Sequence, residues 1–134
     1  MIRAVGFDLV ELSRVRGVLA RHPDRFLSRH FTPDEVRYCR THRDPVPSLA
    51  ARFAAKEAFQ KCWPEAHGWR DVWVVREEPA PRLAFARALA QAMREQGLRA
   101  HLSLSHSRDH AAAMVVLEQG VLGQGESEDP ARDG

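Results

Sequence analysis

Three stretches of this 134-residue chain carry side chains suited to handling phosphate and a divalent cation. The first centres on Asp8, a carboxylate set among Gly6, Phe7, Leu9 and Val10. An acid at a strand end can simply favour the N-terminus of the next helix through its dipole. It can equally be a hard oxygen ligand, because Mg²⁺ takes one or two protein carboxylates and completes its shell with water and substrate phosphate oxygens. The second stretch is Arg52, Lys56, Glu57 and Lys61 in RFAAKEAFQK. Glu57 and Lys61 share a helical face with Phe53, and as a plain i,i+4 ion pair they contribute only about 0.3 kcal/mol. Arg52 and Lys56 flank the same arc within about 100–150°, so one helix could offer a metal ligand and several phosphate partners. The third is Ser103, Ser105, His106 and Ser107 in HLSLSHSRDH, at the end of an alternating run. Hydroxyls, an imidazole and free backbone N–H groups at such a turn suit phosphate oxygens, although the same residues can merely satisfy the turn.

Other chemistries fit less well. His101, His106 and His110 lack any spacing known for zinc, and a Ser-His-Asp hydrolase would need a G-x-S-x-G elbow that is missing. The basic alphabet singles out the second stretch again. Eighteen of the 20 basic residues are arginine, and the two lysines, Lys56 and Lys61, bracket Glu57. An ammonium is a compact point charge that meets a phosphate end-on, whereas guanidinium is a planar fork. Arg14, Arg16, Arg21, Arg25 and Arg29 face only Asp24 in sign, which makes a basic surface, either solvated or able to dock an acidic partner. A small nucleic-acid-binding module is the alternative for such a surface, but no recognised motif or aromatic interleaving supports it.

Positioning these groups falls to a strand over residues 2–10, with Ile2, Ala4, Gly6, Asp8 and Val10 on one face and Val5, Phe7 and Leu9 on the other. A helix opens at Ser13 and ends before His22-Pro23; residues 23–29 make a short helical turn. Thr32-Pro33-Asp34-Glu35 reads as N-cap, N1 proline and acidic first turn of a helix reaching about Thr41. Ser48 is expected to cap the longest helix, which Pro64 stops. Residues 71–76 and 82–85 read as strands, 84–96 as an Ala-rich helix ended by Gly97, and 100–105 and 111–118 as the last two strands. That order predicts an α+β fold with a small, mostly antiparallel sheet packed with helices.

Composition agrees with one modest globular domain: 44% hydrophobic, 28% charged, formal net charge +2. No run approaches the roughly 18 apolar residues of a membrane helix. Asp8 and Glu11 stand where a secretory signal would be apolar, and two isolated cysteines, Cys39 and Cys62, make neither a metal spacing nor a disulfide framework. A cytoplasmic protein is expected. Residues 119–134 hold one arginine against four carboxylates, net −3, leaving +5 on residues 1–118. The chain is therefore expected to divide into a folded domain over 1–118 and an acidic, disordered tail.

Taken together, in their order and spacing, Gly6-Phe7-Asp8-Leu9-Val10-Glu11, then Arg52-Phe53-Ala54-Ala55-Lys56-Glu57-Ala58 with Lys61, then Leu102-Ser103-Leu104-Ser105-His106 followed by Ala111-Ala112-Ala113 resemble the holo-[acyl-carrier-protein] synthase branch of the 4′-phosphopantetheinyl transferases. Weaker matches are Arg25-Phe26-Leu27, Thr32 to Glu35 with Tyr38-Cys39, and Trp69-Arg70-Asp71-Val72. The resemblance implies transfer of the phosphopantetheine arm of coenzyme A to a serine of an apo acyl carrier protein, with release of adenosine 3′,5′-bisphosphate. It implies that Asp8 and Glu57 hold Mg²⁺, with Lys61 beside them; a base must then take the serine proton, and Glu57, directly or through a metal-bound water, is the candidate. Arg52, Lys56, Lys61, His106 and Ser107 would lie near the nucleotide phosphates, and Arg14, helped by Arg21 and Arg25, would grip the acidic helix of the carrier. It further implies a homotrimer with sites between subunits. Two segments depart from the family: Cys62-Trp63-Pro64 replaces a Gly-rich loop, often Gly-Thr-Gly, and Pro79-Ala80-Pro81 replaces Gly-x-Pro. A member that binds coenzyme or carrier without catalysing is the alternative these departures suggest.

Overall fold

β1, Ile2–Glu11, runs straight into α1, Leu12–Arg21, with Leu12 N–H bonded to the Asp109 carbonyl across the sheet end. The computed structural model describes residues 1–77 and 79–120; the acidic segment from residue 121 onward, expected to be a tail, lies outside the described residues. α2 is Pro23–His30, a full two-turn helix rather than a short turn, and α3 is Pro33–Arg40. The capping box expected at Thr32 forms completely: its Oγ1 accepts from Glu35 N–H, and Glu35 Oε1 accepts from Thr32 N–H.

α4, Val46–Cys62, starts two residues before Ser48. The sequence expectation of a Ser48 cap is corrected: Asp44 Oδ1 accepts from Val46 N–H, while Ser48 sits inside the first turn and receives the Arg52 guanidinium. Pro47 fits because the first turn has no intrahelical acceptor for its missing N–H. A 3₁₀ turn over Trp69–Asp71 leads into β2, Val72–Val75, which pairs with β3, Arg82–Phe85. α5 is Arg87–Glu95, shorter than expected because Ala84 and Phe85 stay in β3; Gly97, at φ 67°, turns the chain into β4, Leu98–His106. β5 is His110–Gln119.

Both sheets are antiparallel, with order β1-β5-β4 in the larger and β2-β3 in the smaller, so the architecture is α+β as the sequence predicts. The register places Asp8 opposite Ala113, and Ala113 opposite Leu104. α4 lies across β1 and β5, which its alanines allow: Ala54, Ala55 and Ala58 are fully buried. One apolar cluster fills the space between α4, the inner sheet face, the β2-β3 hairpin and α5; a second joins α1, α2 and α3 to the first half of α4. Asp8 follows from this layout. Its strand parity turns it toward α4 together with Gly6, while Val5, Phe7 and Leu9 point outward.

Candidate active site

α4 brings Glu57 and Lys61 against β1. Lys61 Nζ donates to the Phe7 carbonyl at 2.7 Å and lies 3.3 Å from Asp8 Oδ1. The lysine thus crosses to the strand and forms its ion pair with Asp8 instead of folding back along the helix onto Glu57. Asp8 is mostly sheltered, with 12% of its side chain exposed, and its Oδ2 is buried without a hydrogen-bond partner. Glu57 is half-buried. Burial first, then the negative charge of Asp8, raises its carboxyl above the usual range, while Lys61 and Arg14 pull it back. Two carboxylates, a bonded ammonium and the edge of Arg14 therefore share one patch.

The donor set can be tested for a cation. An ionised carboxylate oxygen buried with no partner is costly, and a hard divalent ion would satisfy it. Oxygen donors alone suit Mg²⁺. Among the described residues no group of three or more His, Cys, Asp or Glu could form a protein-only metal cage. A cation bound here would need water and ligand oxygens for its other positions. The three histidines weighed for zinc do not form such a group either; His101 is paired with Glu118 across β4 and β5 at 2.9 Å.

The other two basic residues of the KEA helix go elsewhere. Lys56 is only 1% exposed, and its ammonium meets Glu35 Oε1 at 2.8 Å, the Trp69 carbonyl at 2.9 Å and the Val72 carbonyl at 2.7 Å. Those contacts use all three ammonium protons. Glu35 Oε2 also accepts from Val74 N–H at 3.0 Å, so one buried ion pair ties α3, α4, the 3₁₀ turn and β2 together. Desolvation pushes Lys56 below its usual pKa, partly offset by Glu35. The expectation that Lys56 faces a phosphate is corrected: within this chain it has no proton to offer. Arg52 is likewise buried, its guanidinium 4.4 Å above the Tyr38 ring and bonded to Ser48, with Nε lacking a partner. Helix geometry is the reason. Successive residues turn by about 100°, so Lys56 and Arg52 point toward α3 while Glu57 and Lys61 point toward β1.

His106 ends β4, exposed, on the same sheet face as Asp8 by parity. Two interstrand spacings and two residues of rise separate their backbones by roughly 12 Å. Ser107 N–H bonds the His110 carbonyl, and its Oγ accepts from His110 N–H. Arg14, Arg21 and Arg25 are all exposed on α1 and α2, whereas Arg16 is drawn to Asp44 at 3.0 Å. Two surface clefts, of about 720 and 640 Å³, lie beside α1 and between α2 and α3, and neither is lined by Asp8, Glu57 or Lys61.

Sequence reasoning passed over two features. Glu35 was legible only as a helix cap, and its second oxygen's long-range role had no local signal. His30, Phe53 and Trp69 also gather into an aromatic shelf one turn from Glu57. Phe53 and Trp69 stack at 5.1 Å and 15°, with the His30 ring edge-on to both.

Comparison with known proteins places the chain among named relatives. A family model described as the 4′-phosphopantetheinyl transferase superfamily matches residues 4–115. The chain is 55% identical over 125 residues to a holo-[acyl-carrier-protein] synthase of Thermus thermophilus, covering 93% of this chain and all of that protein. It is 55% identical over 126 residues to the protein of the same name from Deinococcus radiodurans, covering 88% and 94%. Among solved structures, the Neisseria meningitidis synthase superposes with a TM-score of 0.81 at 33% identity, covering 89% of this chain and 100% of that one. The Bacillus anthracis synthase, in complex with CoA (3′,5′-ADP), gives 0.73 at 30% identity, covering 90% and 99%.

Proposed function

Because the chain belongs to the 4′-phosphopantetheinyl transferase superfamily, in its holo-[acyl-carrier-protein] synthase branch, we propose that it moves the phosphopantetheine arm of coenzyme A onto a serine of an apo acyl carrier protein. It is an enzyme of that class. The serine oxygen attacks the phosphorus that bears the pantetheine arm. A new P–O bond forms, the bond to the bridging oxygen breaks, and adenosine 3′,5′-bisphosphate leaves with the electron pair. Such a displacement needs charge neutralisation and alignment more than a covalent enzyme intermediate, and the nucleophile belongs to the partner.

Asp8 and Glu57 would hold Mg²⁺, which when bound supplies charge neutralisation at the coenzyme pyrophosphate. The observation that carries this reading is the buried, unpartnered Asp8 Oδ2 beside Glu57 and Lys61. Lys61, anchored on Phe7 and Asp8, has a remaining proton for a phosphate oxygen. Glu57, whose carboxyl burial and Asp8 hold above the usual range, is the candidate to accept the serine proton in its ionised form. His106 and Ser107, across the sheet end, would reach the nucleotide phosphates, and Arg52 would do so only with a change of side-chain position. Incubation with coenzyme A, Mg²⁺ and apo carrier should add the mass of one arm to the carrier. Coenzyme binding by calorimetry without any mass shift, across several carriers, would instead indicate a non-catalytic member.

Arg14, with Arg21 and Arg25, would face the acidic helix of the carrier. Arg14→Glu is expected to raise the carrier KM at least tenfold and leave the coenzyme KM within twofold. Equal effects on both would place Arg14 in the active site, where its charge already reaches Glu57.

A homotrimer completes the reading. Val5, Phe7, Leu9 and Met114 stand 55%, 49%, 58% and 42% exposed on one sheet face, an apolar patch of the kind that marks an interface. In that reading a neighbouring copy supplies the second wall for the coenzyme beside Asp8 and Glu57. Light scattering should give three chains for the wild type and a smaller species for Met114→Glu; a monomeric wild type would sink the assignment. A cytoplasmic site of action is part of the same reading.

A further inference from the structure

We propose that Gly6 is a positioning residue for the reaction: its missing side chain lets β1 touch the backbone of α4, and that contact sets where Asp8 stands relative to Glu57 and Lys61. The inference rests on the reading of Asp8 and Glu57 as a cation site. Gly6 has no positive φ, so its backbone conformation does not demand glycine. Space does. A Cβ placed on Gly6 would fall far inside the contact radius of the Ala58 carbonyl oxygen, 2.9 Å from the Ala58 carbonyl carbon and 2.8 Å from Cys62 Sγ. Two of these three atoms are helix backbone, which cannot rotate away.

The contact lies at the centre of the site. Ala58 follows Glu57, Cys62 follows Lys61, and Asp8 is the next residue of β1 on the same face as Gly6. Lys61 can bond the Phe7 carbonyl and Asp8 only while strand and helix stay this close. The surrounding alanines, Ala54, Ala55 and Ala58, keep the same interface thin. Restoring an ordinary contact at Gly6 requires the strand to retreat by on the order of 1 Å. Displacements of that size cost about a hundredfold where geometry decides the rate.

The test compares wild type, Gly6→Ala, Asp8→Asn and Met93→Ala, the last removing a buried side chain of α5 outside the site. Mn²⁺ affinity is read by electron paramagnetic resonance without coenzyme, and turnover and thermal midpoint are measured alongside. Gly6→Ala should weaken Mn²⁺ binding at least tenfold and lower kcat about a hundredfold, with the carrier KM little changed. Met93→Ala, comparably destabilised, should bind Mn²⁺ within twofold of wild type. If Gly6→Ala does not fold, Cys62→Val wedges the same contact from the helix side and should weaken Mn²⁺ severalfold. Wild type and Asp8→Asn binding Mn²⁺ equally would overturn the cation site itself. Loss of binding in Asp8→Asn with full binding in the folded Gly6→Ala, or in Cys62→Val where Gly6→Ala fails to fold, would overturn the positioning role alone.

Discussion

Glu57→Gln is expected to lower turnover by about 100- to 1,000-fold, the range seen when one preorganised electrostatic contact to a developing charge is removed, while the protein stays folded. Asp8→Asn should do the same, because each substitution leaves one carboxylate where two converge with Lys61. Glu57 itself indicates that the fold survives its replacement. Burial and Asp8 raise its carboxyl above the ordinary value, so the folded chain holds this proton more tightly than the unfolded chain does. Linkage then gives the sign: the group's contribution to stability is greatest at low pH and declines as pH climbs from the ordinary value of 4.5 through the raised folded value. Glutamine carries no such decline. Without divalent cations, the variant should therefore match or exceed the wild type in thermal midpoint near neutral pH while losing turnover. Full activity in either variant would end the assignment of this carboxylate pair, and collapse of the fold would show that the two acids are structural.

The largest effect on stability is expected at Lys56. Lys56→Met leaves Glu35, 2% exposed, without its cation and strips the Trp69 and Val72 carbonyls of their donor. Breaking a buried pair by removing one partner costs about 3–5 kcal/mol, which lowers Tm by roughly 10–20 °C for a domain of this size. Adding Glu35→Gln should recover part of the loss. The amide keeps an oxygen for Thr32 or Val74 N–H and removes the stranded charge. Denaturant midpoints of the wild type, the single variant and the pair decide the matter. A double variant no more stable than Lys56→Met would show that the lost packing of the lysine stem, rather than an unpaired charge, accounts for the damage.

Much of this was legible early because local chemistry spoke for itself. Pro23 and Pro33 start helices where their missing N–H costs nothing, Thr32 and Glu35 form the reciprocal cap their spacing announces, and Gly97 takes the one positive φ among the described residues. The alternation in β1 correctly separated Asp8 and Gly6 from Val5, Phe7 and Leu9. Ser48 misled because a serine before an apolar run is the usual start, whereas Asp44 had already supplied the capping oxygen two residues before the helix began.

By itself, the sequence determined the family and the α+β class, since these depend on residue types at short, fixed spacings. It could not divide the charges of α4 between two sides. Buried residues occur on both the β1 side and the α3 side of that helix, so no single apolar stripe distinguishes the two. Only packing decided that Lys61 crosses 53 residues of sequence to Asp8, while Lys56, five residues earlier, turns inward to Glu35. The physical reason is that a buried ion pair and a backbone-to-backbone contact such as Gly6 on Ala58 are properties of two distant segments at once, and neither segment carries its partner's address.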